Sequence, residues 1–96
     1  MKLSKGALRA LASNDLIGLD ARVVRGSDPS LEGLEGKIVD ETMNTIELEA
    51  KGVVKKLDKK SITLAIRFPD GEYEVPGREI LQRPEERLKK LWTKVK

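Results

Sequence analysis

The sequence contains no cysteine and no histidine among its 96 residues. Without cysteine there can be no disulfide and no thiolate nucleophile, and without either residue the usual zinc ligands are missing. Histidine is also the commonest general acid and base in enzymes. We therefore predict no metal site, no cofactor and no catalytic residue in this chain.

Aromatic residues are also scarce: Phe68, Tyr73 and Trp92 are the whole set. The core must therefore be built from Val, Ile and Leu, and few rings remain to stack on unpaired bases. No apolar run approaches the roughly 18 residues of a membrane-spanning helix. We predict a cytoplasmic protein with no membrane contact.

Charge is distributed unevenly along the chain. Residues 1–12 carry a net charge of +3 and residues 83–96 carry +4, whereas residues 13–82 carry −4, for a total of +3. Single-signed blocks at chain ends often act as interaction arms. The alternative is that these lysines and arginines only keep the ends soluble.

Residues 34–50 predict a β-hairpin at the centre of the chain. Ile46, Leu48 and Ala50 alternate with charged residues, which is typical of a strand with one buried face. Asn44 tolerates the left-handed backbone that a tight turn between two strands can require.

Further short strands are predicted on both sides of this hairpin. Turn signals recur every 8–12 residues, a pattern typical of an all-β barrel or sandwich. We predict a small, strongly bent antiparallel barrel of the Sm-like or SH3-like kind with five to seven strands, whose closure would protect its edges. The predicted strands are 20–26, 36–41, 45–50, 53–57, 62–68, 72–75 and 78–82.

A short helix is predicted at each end of the barrel. Residues 3–13 form a weakly amphipathic segment, and Leu88, Leu91 and Trp92 form an apolar stripe behind Pro84. The predicted organisation is a helical arm over 1–15, the barrel over 16–82 and a basic helix over 83–96. The last helix caps the barrel through Trp92, docks on RNA or protein, or does both on different faces.

Basic side chains without catalytic groups favour binding to nucleic acid, because Lys and Arg neutralise phosphates. Recognition would depend on phosphate positions and shape, as for structured RNA. The predicted RNA-binding residues are Arg22, Arg25, Lys37, Asn44, Lys55, Lys56, Arg83, Arg87, Lys89 and Lys90.

Two motifs together resemble a known family. VDETMNT at 39–45 lies in the central hairpin, and RPEERLKK at 83–90 opens the last helix. They follow LIGL at 16–19, ARVVR at 21–25, DPSL at 28–31 and GLEGK at 33–37. In combination, over residues 16–90, they resemble archaeal ribonuclease P protein component 1.

This resemblance implies an Sm-like barrel in a ribonucleoprotein that removes the 5′ leader from precursor tRNA. It implies that the RNA carries the catalysis, so this chain would be a non-catalytic subunit that contacts precursor tRNA only indirectly. It also implies that the terminal segments bind a zinc-ribbon protein subunit, alongside other ribonuclease P proteins and the ribonuclease P RNA. The predicted protein-partner residues are Leu8, Leu11, Leu16, Ile17, Leu88, Leu91 and Trp92.

Three other functions remain open from the residues alone. The run around Leu31–Val39 loosely resembles the KOW motif of ribosomal and transcription-associated barrels. A module that binds only proteins would use the terminal helices without RNA. An autonomous nuclease would need carboxylates such as Asp40 and Glu41, which point to opposite faces of a strand and make a poor metal clamp.

Overall fold

The computed structural model describes residues 3–95, with side chains described for residues 3–93. Residues 1, 2 and 96 of the two predicted arms lie outside this range. The helices are α1 (Lys5–Ser13) and α2 (Pro84–Val95), and none in the described range is long and apolar enough to cross a membrane. The strands are β1 (Asp20–Gly26), β2 (Glu35–Glu41), β3 (Thr45–Ala50), β4 (Val53–Asp58), β5 (Ile62–Phe68) and β6 (Gly71–Pro76).

The six strands form one antiparallel sheet in the order β4-β3-β2-β1-β5-β6. Register shifts in β1 between Val23 and Arg25 and in β2 between Ile38 and Asp40 increase the local twist. The predicted fold class, a small, strongly bent antiparallel Sm-like barrel of five to seven strands with two short helices, is confirmed, except that the expected closure of the barrel is not found in the part of the chain that the structure describes. The sheet stays open, because β4 and β6 lie at its two ends and no ladder joins them within the described range.

Two hairpin turns show how local sequence sets the register. Between β3 and β4, Lys51 and Gly52 both have positive φ, 52° and 81°, which matches the twist of the strands they join. Between β2 and β3 the Thr42 N–H donates to the Thr45 carbonyl oxygen at 2.9 Å, and the hydroxyls of the same two residues lie 2.7 Å apart. Asn44 does not adopt the left-handed backbone expected of it, because these hydroxyls satisfy the turn without it.

One predicted strand is wrong. Residues 78–82 do not pair with the sheet, because Gly77–Ile80 forms a 3₁₀ turn instead. Gly77 packs directly against the carbonyl group of Lys59, where a Cβ atom would overlap it. This contact directs the chain toward Lys59–Ser61, a second 3₁₀ turn that follows β4.

The core lies between the sheet and the two helices, which pack on each other. Ser4 caps the N-terminus of α1, because its hydroxyl accepts a hydrogen bond from the Ala7 backbone N–H at 3.1 Å. Gly6 lets the Tyr73 ring of β6 approach, since a Cβ there would lie 2.7 Å from a ring carbon. Fully or nearly fully buried apolar side chains include Leu11, Leu16, Ile38, Ile46, Leu48, Leu64, Ile66, Val75, Ile80 and Leu91.

Candidate nucleic-acid interface

A groove runs between the β2–β3 turn and the start of α2; we call it the turn–helix groove. It measures about 360 Å³ and brings together Asn44 and Arg83, two predicted RNA-binding residues 39 positions apart in sequence. Both are exposed. The residues that line it are Glu41, Thr42, Met43, Asn44, Arg83, Pro84 and Glu85.

α2 carries a basic surface that starts at this groove. Arg83 caps the helix, because its carbonyl accepts the Arg87 N–H at 2.9 Å. Lys89 and Lys90 are exposed further along, and a shallow depression connects them with Glu86 and Thr93. Arg83 and Lys90 are seven residues apart, so they share one side of the helix. The exposed charges of residues 83–90 are Arg83, Lys89 and Lys90 against Glu85 and Glu86, so this part of the chain offers a phosphate backbone a small net positive charge.

Behind the groove lies a buried charge cluster of Glu41, Lys59 and Arg87, all three side chains having zero exposure. The Arg87 guanidinium donates to both oxygens of Glu41, reaching Oε1 from one nitrogen at 3.1 Å and Oε2 from the other. Lys59 Nζ donates to Glu41 Oε2 at 2.8 Å. The three residues come from the end of β2, the turn after β4 and the second turn of α2, so the cluster connects three separate parts of the chain.

The Lys59 ammonium sits inside a cage of oxygen atoms. Besides Glu41 it contacts the carbonyl oxygens of Thr42 at 2.7 Å, Met43 at 3.3 Å, Ile80 at 2.8 Å and Gln82 at 3.1 Å. An ammonium has three donors, so these five acceptors share them. Burial lowers the pKa of Lys59, and the Glu41 carboxylate opposes this effect. The carbonyl dipoles offset the second positive charge of the cluster.

The cluster changes the set of RNA-binding residues. Arg87 was predicted to contact RNA, but its guanidinium is fully buried against Glu41 and cannot reach a phosphate in this structure. We therefore remove it from the set. Lys59 lies among exposed lysines in the sequence, but it is buried because its ammonium pairs with the buried Glu41 carboxylate.

Two of the predicted residues on β1 and β2 lie in a sheet groove of mixed charge. Arg22 is 3.9 Å from both Glu35 and Glu72, and Lys37 is exposed nearby. Four basic and four acidic residues line this groove, so it offers RNA no net positive charge. They are Arg22, Lys37, Lys51 and Arg67 against Asp20, Glu35, Glu49 and Glu72.

Arg25 lies in a different depression, together with Lys60 and Arg78, which sequence reasoning did not select. Arg25 pairs with Glu74 at 3.5 Å, and Arg78 Nε lies 3.5 Å from the Lys60 carbonyl oxygen. Lys55 and Lys56 lie exposed on the edge strand β4, away from this depression. The basic residues thus occupy several surfaces rather than one.

The predicted protein-partner residues separate by burial. Leu11, Leu16 and Leu91 belong to the core, so their side chains are not available to a partner in this structure. Leu8 and Leu88 are half-buried. Ile17 and Trp92 are 45% and 52% exposed. Trp92 is therefore not the buried anchor that one interpretation of α2 required.

The family model for ribonuclease P/MRP, subunit p29, matches residues 9–90 of this sequence. The chain belongs to the ribonuclease P/MRP p29 subunit family. The matched range contains the groove, the charge cluster and every predicted RNA-binding residue. The resemblance inferred from the two motifs is confirmed.

Relatives named ribonuclease P protein component 1 support this assignment. The protein of Desulfurococcus amylolyticus is 43% identical over 83 residues, which cover 84% of this chain and 90% of the relative. The protein of Thermofilum pendens is 45% identical over 84 residues, covering 82% of this chain and 89% of the relative. The protein of Thermococcus onnurineus is 40% identical over 79 residues, covering 82% of this chain but only 62% of the relative's length.

A solved structure shows the same fold. It is described as Mth11, a homologue of human RNase P protein Rpp29, and is 36% identical to this chain. The TM-score is 0.57, and the superposition covers 76% of this chain and 96% of the other.

The structure explains why the two motifs occur together in this p29-family chain. Glu41 lies in VDETMNT and Arg87 lies in RPEERLKK, and their side chains pair in the buried cluster. From the sequence, Arg87 was predicted to contact RNA, and Glu41 was considered only as a poor metal ligand. The sequence holds one signal for this contact: one of the two family motifs contains a carboxylate, and the other contains an arginine that can pair with it.

Proposed function

We propose that this chain binds the RNA of ribonuclease P as a non-catalytic protein subunit and supports removal of the 5′ leader from precursor tRNA. The observation that carries the proposal is the family match over residues 9–90. The exposed basic side of α2, which begins at the turn–helix groove, supplies the chemistry that RNA binding needs.

Within this proposal, Arg83, Lys89, Lys90 and Asn44 are the primary RNA contacts. They are exposed, and among the described residues no ion pair joins any of them to an acid, unlike Arg22 and Arg25. Lys55 and Lys56 provide a secondary surface on β4. Lys37 and Arg22 lie in the groove of balanced charge, so we rank their contribution below the others.

The same proposal assigns a protein partner to the helices. Ile17 and Trp92 expose apolar area, and the half-buried Leu8 and Leu88 belong to the two helices that pack on each other. We infer that a zinc-ribbon subunit of ribonuclease P covers this surface, within a cytoplasmic particle that holds further ribonuclease P proteins. Trp is among the residues that most often contribute a large share of the binding energy at such interfaces.

Reconstituted cleavage tests the proposal. Ribonuclease P RNA and the other protein subunits are assayed on precursor tRNA with and without this chain, at a fixed magnesium concentration. We expect the chain to increase leader removal, and the Arg83→Ala/Lys89→Ala/Lys90→Ala variant to increase it less. An Arg22→Ala/Lys37→Ala/Arg67→Ala variant removes the same charge from the mixed groove and should retain most of the effect. Unchanged cleavage with the wild-type chain would refute the proposed function.

A further inference from the structure

The two walls of the turn–helix groove have no direct hydrogen bond or ion pair between them in the described range. One wall is the turn 42–44 and the other is the segment 83–85 at the start of α2. Their connections instead run through the residues of the buried charge cluster. The spacing between Asn44 and Arg83 therefore depends on side chains that do not line the groove themselves, Lys59 and Arg87.

Lys59 holds the first wall at three successive residues. Its backbone N–H donates to the carbonyl oxygen of Asn44 at 2.9 Å. Its ammonium donates to the carbonyl oxygens of Thr42 and Met43 at 2.7 and 3.3 Å. One residue thus fixes the whole backbone of the turn that presents the Asn44 side chain.

The same ammonium holds the second wall. It contacts the carbonyl oxygen of Gln82, directly before Arg83, at 3.1 Å. It also contacts Glu41, which binds the Arg87 guanidinium one helical turn beyond Arg83. The segment that carries Arg83 is therefore connected to Lys59 Nζ at both ends, directly at Gln82 and through Glu41 at Arg87.

We propose that Lys59 is a positioning residue for RNA binding, whose ammonium sets the distance between Asn44 and Arg83. This rests on the proposed function, in which Arg83 binds a phosphate and the Asn44 amide binds a base edge or a 2′-hydroxyl. Two contacts of fixed geometry bind a ligand better when their supports are rigid, because less freedom is lost on binding. Lys59 acts without touching the RNA.

A double-mutant cycle tests this role. Lys59→Met keeps most of the length of the side chain and removes its charge. RNA affinity is measured for wild type, Lys59→Met, Arg83→Ala and the double variant. Charge-assisted contacts of this kind correspond to roughly tenfold or more in affinity. We expect each single variant to lose about tenfold in RNA affinity. The double variant should lose little more than Arg83→Ala alone, because both changes remove the same paired contact of Asn44 and Arg83 with the RNA.

The matched control is a second cycle in which Lys55→Ala takes the place of Arg83→Ala. Lys55 lies on the edge strand β4. Lys55 lies outside the groove, so its effect should add to that of Lys59→Met. All variants are measured well below their unfolding temperatures, with the folded fraction checked by circular dichroism. The losses of RNA affinity caused by Arg83→Ala and by Lys55→Ala could both add fully to the loss caused by Lys59→Met. In that case Lys59 contributes only to general stability and the proposal is overturned. An unchanged affinity of Lys59→Met would overturn it too.

A second starting variant keeps the test decisive if Lys59→Met does not fold. Lys59→Gln keeps a polar N–H donor in the cage but removes the ammonium charge, and Arg87 still neutralises Glu41. The cycle with Arg83→Ala should again be non-additive, and additive losses would overturn the proposal. Amide exchange at 42–44 and 82–83 in the free chain should rise in either variant. This measurement needs no RNA, so it separates failure of the positioning role from failure of wild-type binding to ribonuclease P RNA.

Discussion

Replacing Glu41 by Gln should destabilise the fold more than any surface change. The substitution keeps the shape of the side chain but removes the only carboxylate in the buried charge cluster. Lys59 and Arg87 would then be two positive charges with zero side-chain exposure and no counter-charge. The new amide also directs N–H donors toward groups that are donors themselves.

The size of the effect follows from breaking a buried ion pair, which costs about 3–5 kcal/mol in the free energy of unfolding. The total free energy of unfolding of a chain of this length is roughly 5–15 kcal/mol. Each kcal/mol lowers the unfolding temperature by about 4–8 °C at this size, so the expected decrease is roughly 12–40 °C.

Urea and thermal unfolding measure this change, followed by both far-ultraviolet circular dichroism and Trp92 fluorescence. The control is Glu35→Gln, which removes a carboxylate that is 69% exposed and lies 3.9 Å from Arg22. Exposed pairs of this kind contribute about 0–1 kcal/mol. If Glu41→Gln loses less than about 1 kcal/mol, as the control does, then the cluster does not hold the three segments together.

Three further predictions concern the same region and the hairpin turns. Gly77→Ala should lower the free energy of unfolding by about 1–3 kcal/mol, because the new Cβ would overlap the Lys59 carbonyl; unchanged urea unfolding would contradict this. Gly52→Ala should lower the free energy of unfolding by about 1–2 kcal/mol, because an alanine is strained at φ 81°. Lys51→Gly, at φ 52°, should not lower the free energy of unfolding. Equal effects of the two variants would count against the turn assignment. The Lys59 ammonium should lose its proton below the usual pKa of 10.5, as followed by side-chain nuclear magnetic resonance. The folded chain then binds that proton less tightly than the unfolded chain, so this group makes stability rise with pH between its folded pKa and 10.5. Titration of Lys59 at or above 10.5 would contradict that sign.

Alternation along the chain predicted most of the sheet. Ile62, Leu64, Ile66 and Phe68 recur with period two, and all four are buried in β5. The hairpin 34–50 was found for the same reason. Local patterns of this kind depend on neighbours within a few residues, which a sequence shows directly.

The buried charge cluster could not be predicted in this way. Glu41 is 18 residues from Lys59 and 46 from Arg87, so its contacts depend on the tertiary fold. Lys59 has lysine and serine neighbours that are exposed or half-buried, and nothing in its local sequence distinguishes it from them. Likewise, 78–82 resembles a strand until Gly77 packs against Lys59.

The same limit applies to the candidate site. Arg83, Lys89 and Lys90 could be selected from the basic end of the chain, and they are exposed in the structure. Arg87 lies in the same run and follows Arg83 by one helical turn, but its guanidinium is buried against Glu41 because α2 packs there on the end of β2. Leu11, Leu16 and Leu91 were expected at a partner surface and lie in the core, because α1 and α2 pack on each other.

The most direct test of the central claim is the salt dependence of binding to ribonuclease P RNA. The logarithm of the association constant should fall linearly with the logarithm of salt concentration, by about 0.7–0.9 per phosphate contact. Arg83→Ala/Lys89→Ala/Lys90→Ala should make this slope shallower by roughly 2–3, while the mixed-groove control Arg22→Ala/Lys37→Ala/Arg67→Ala leaves it nearly unchanged. An unaltered slope and affinity for the first variant would contradict RNA binding by this side of α2.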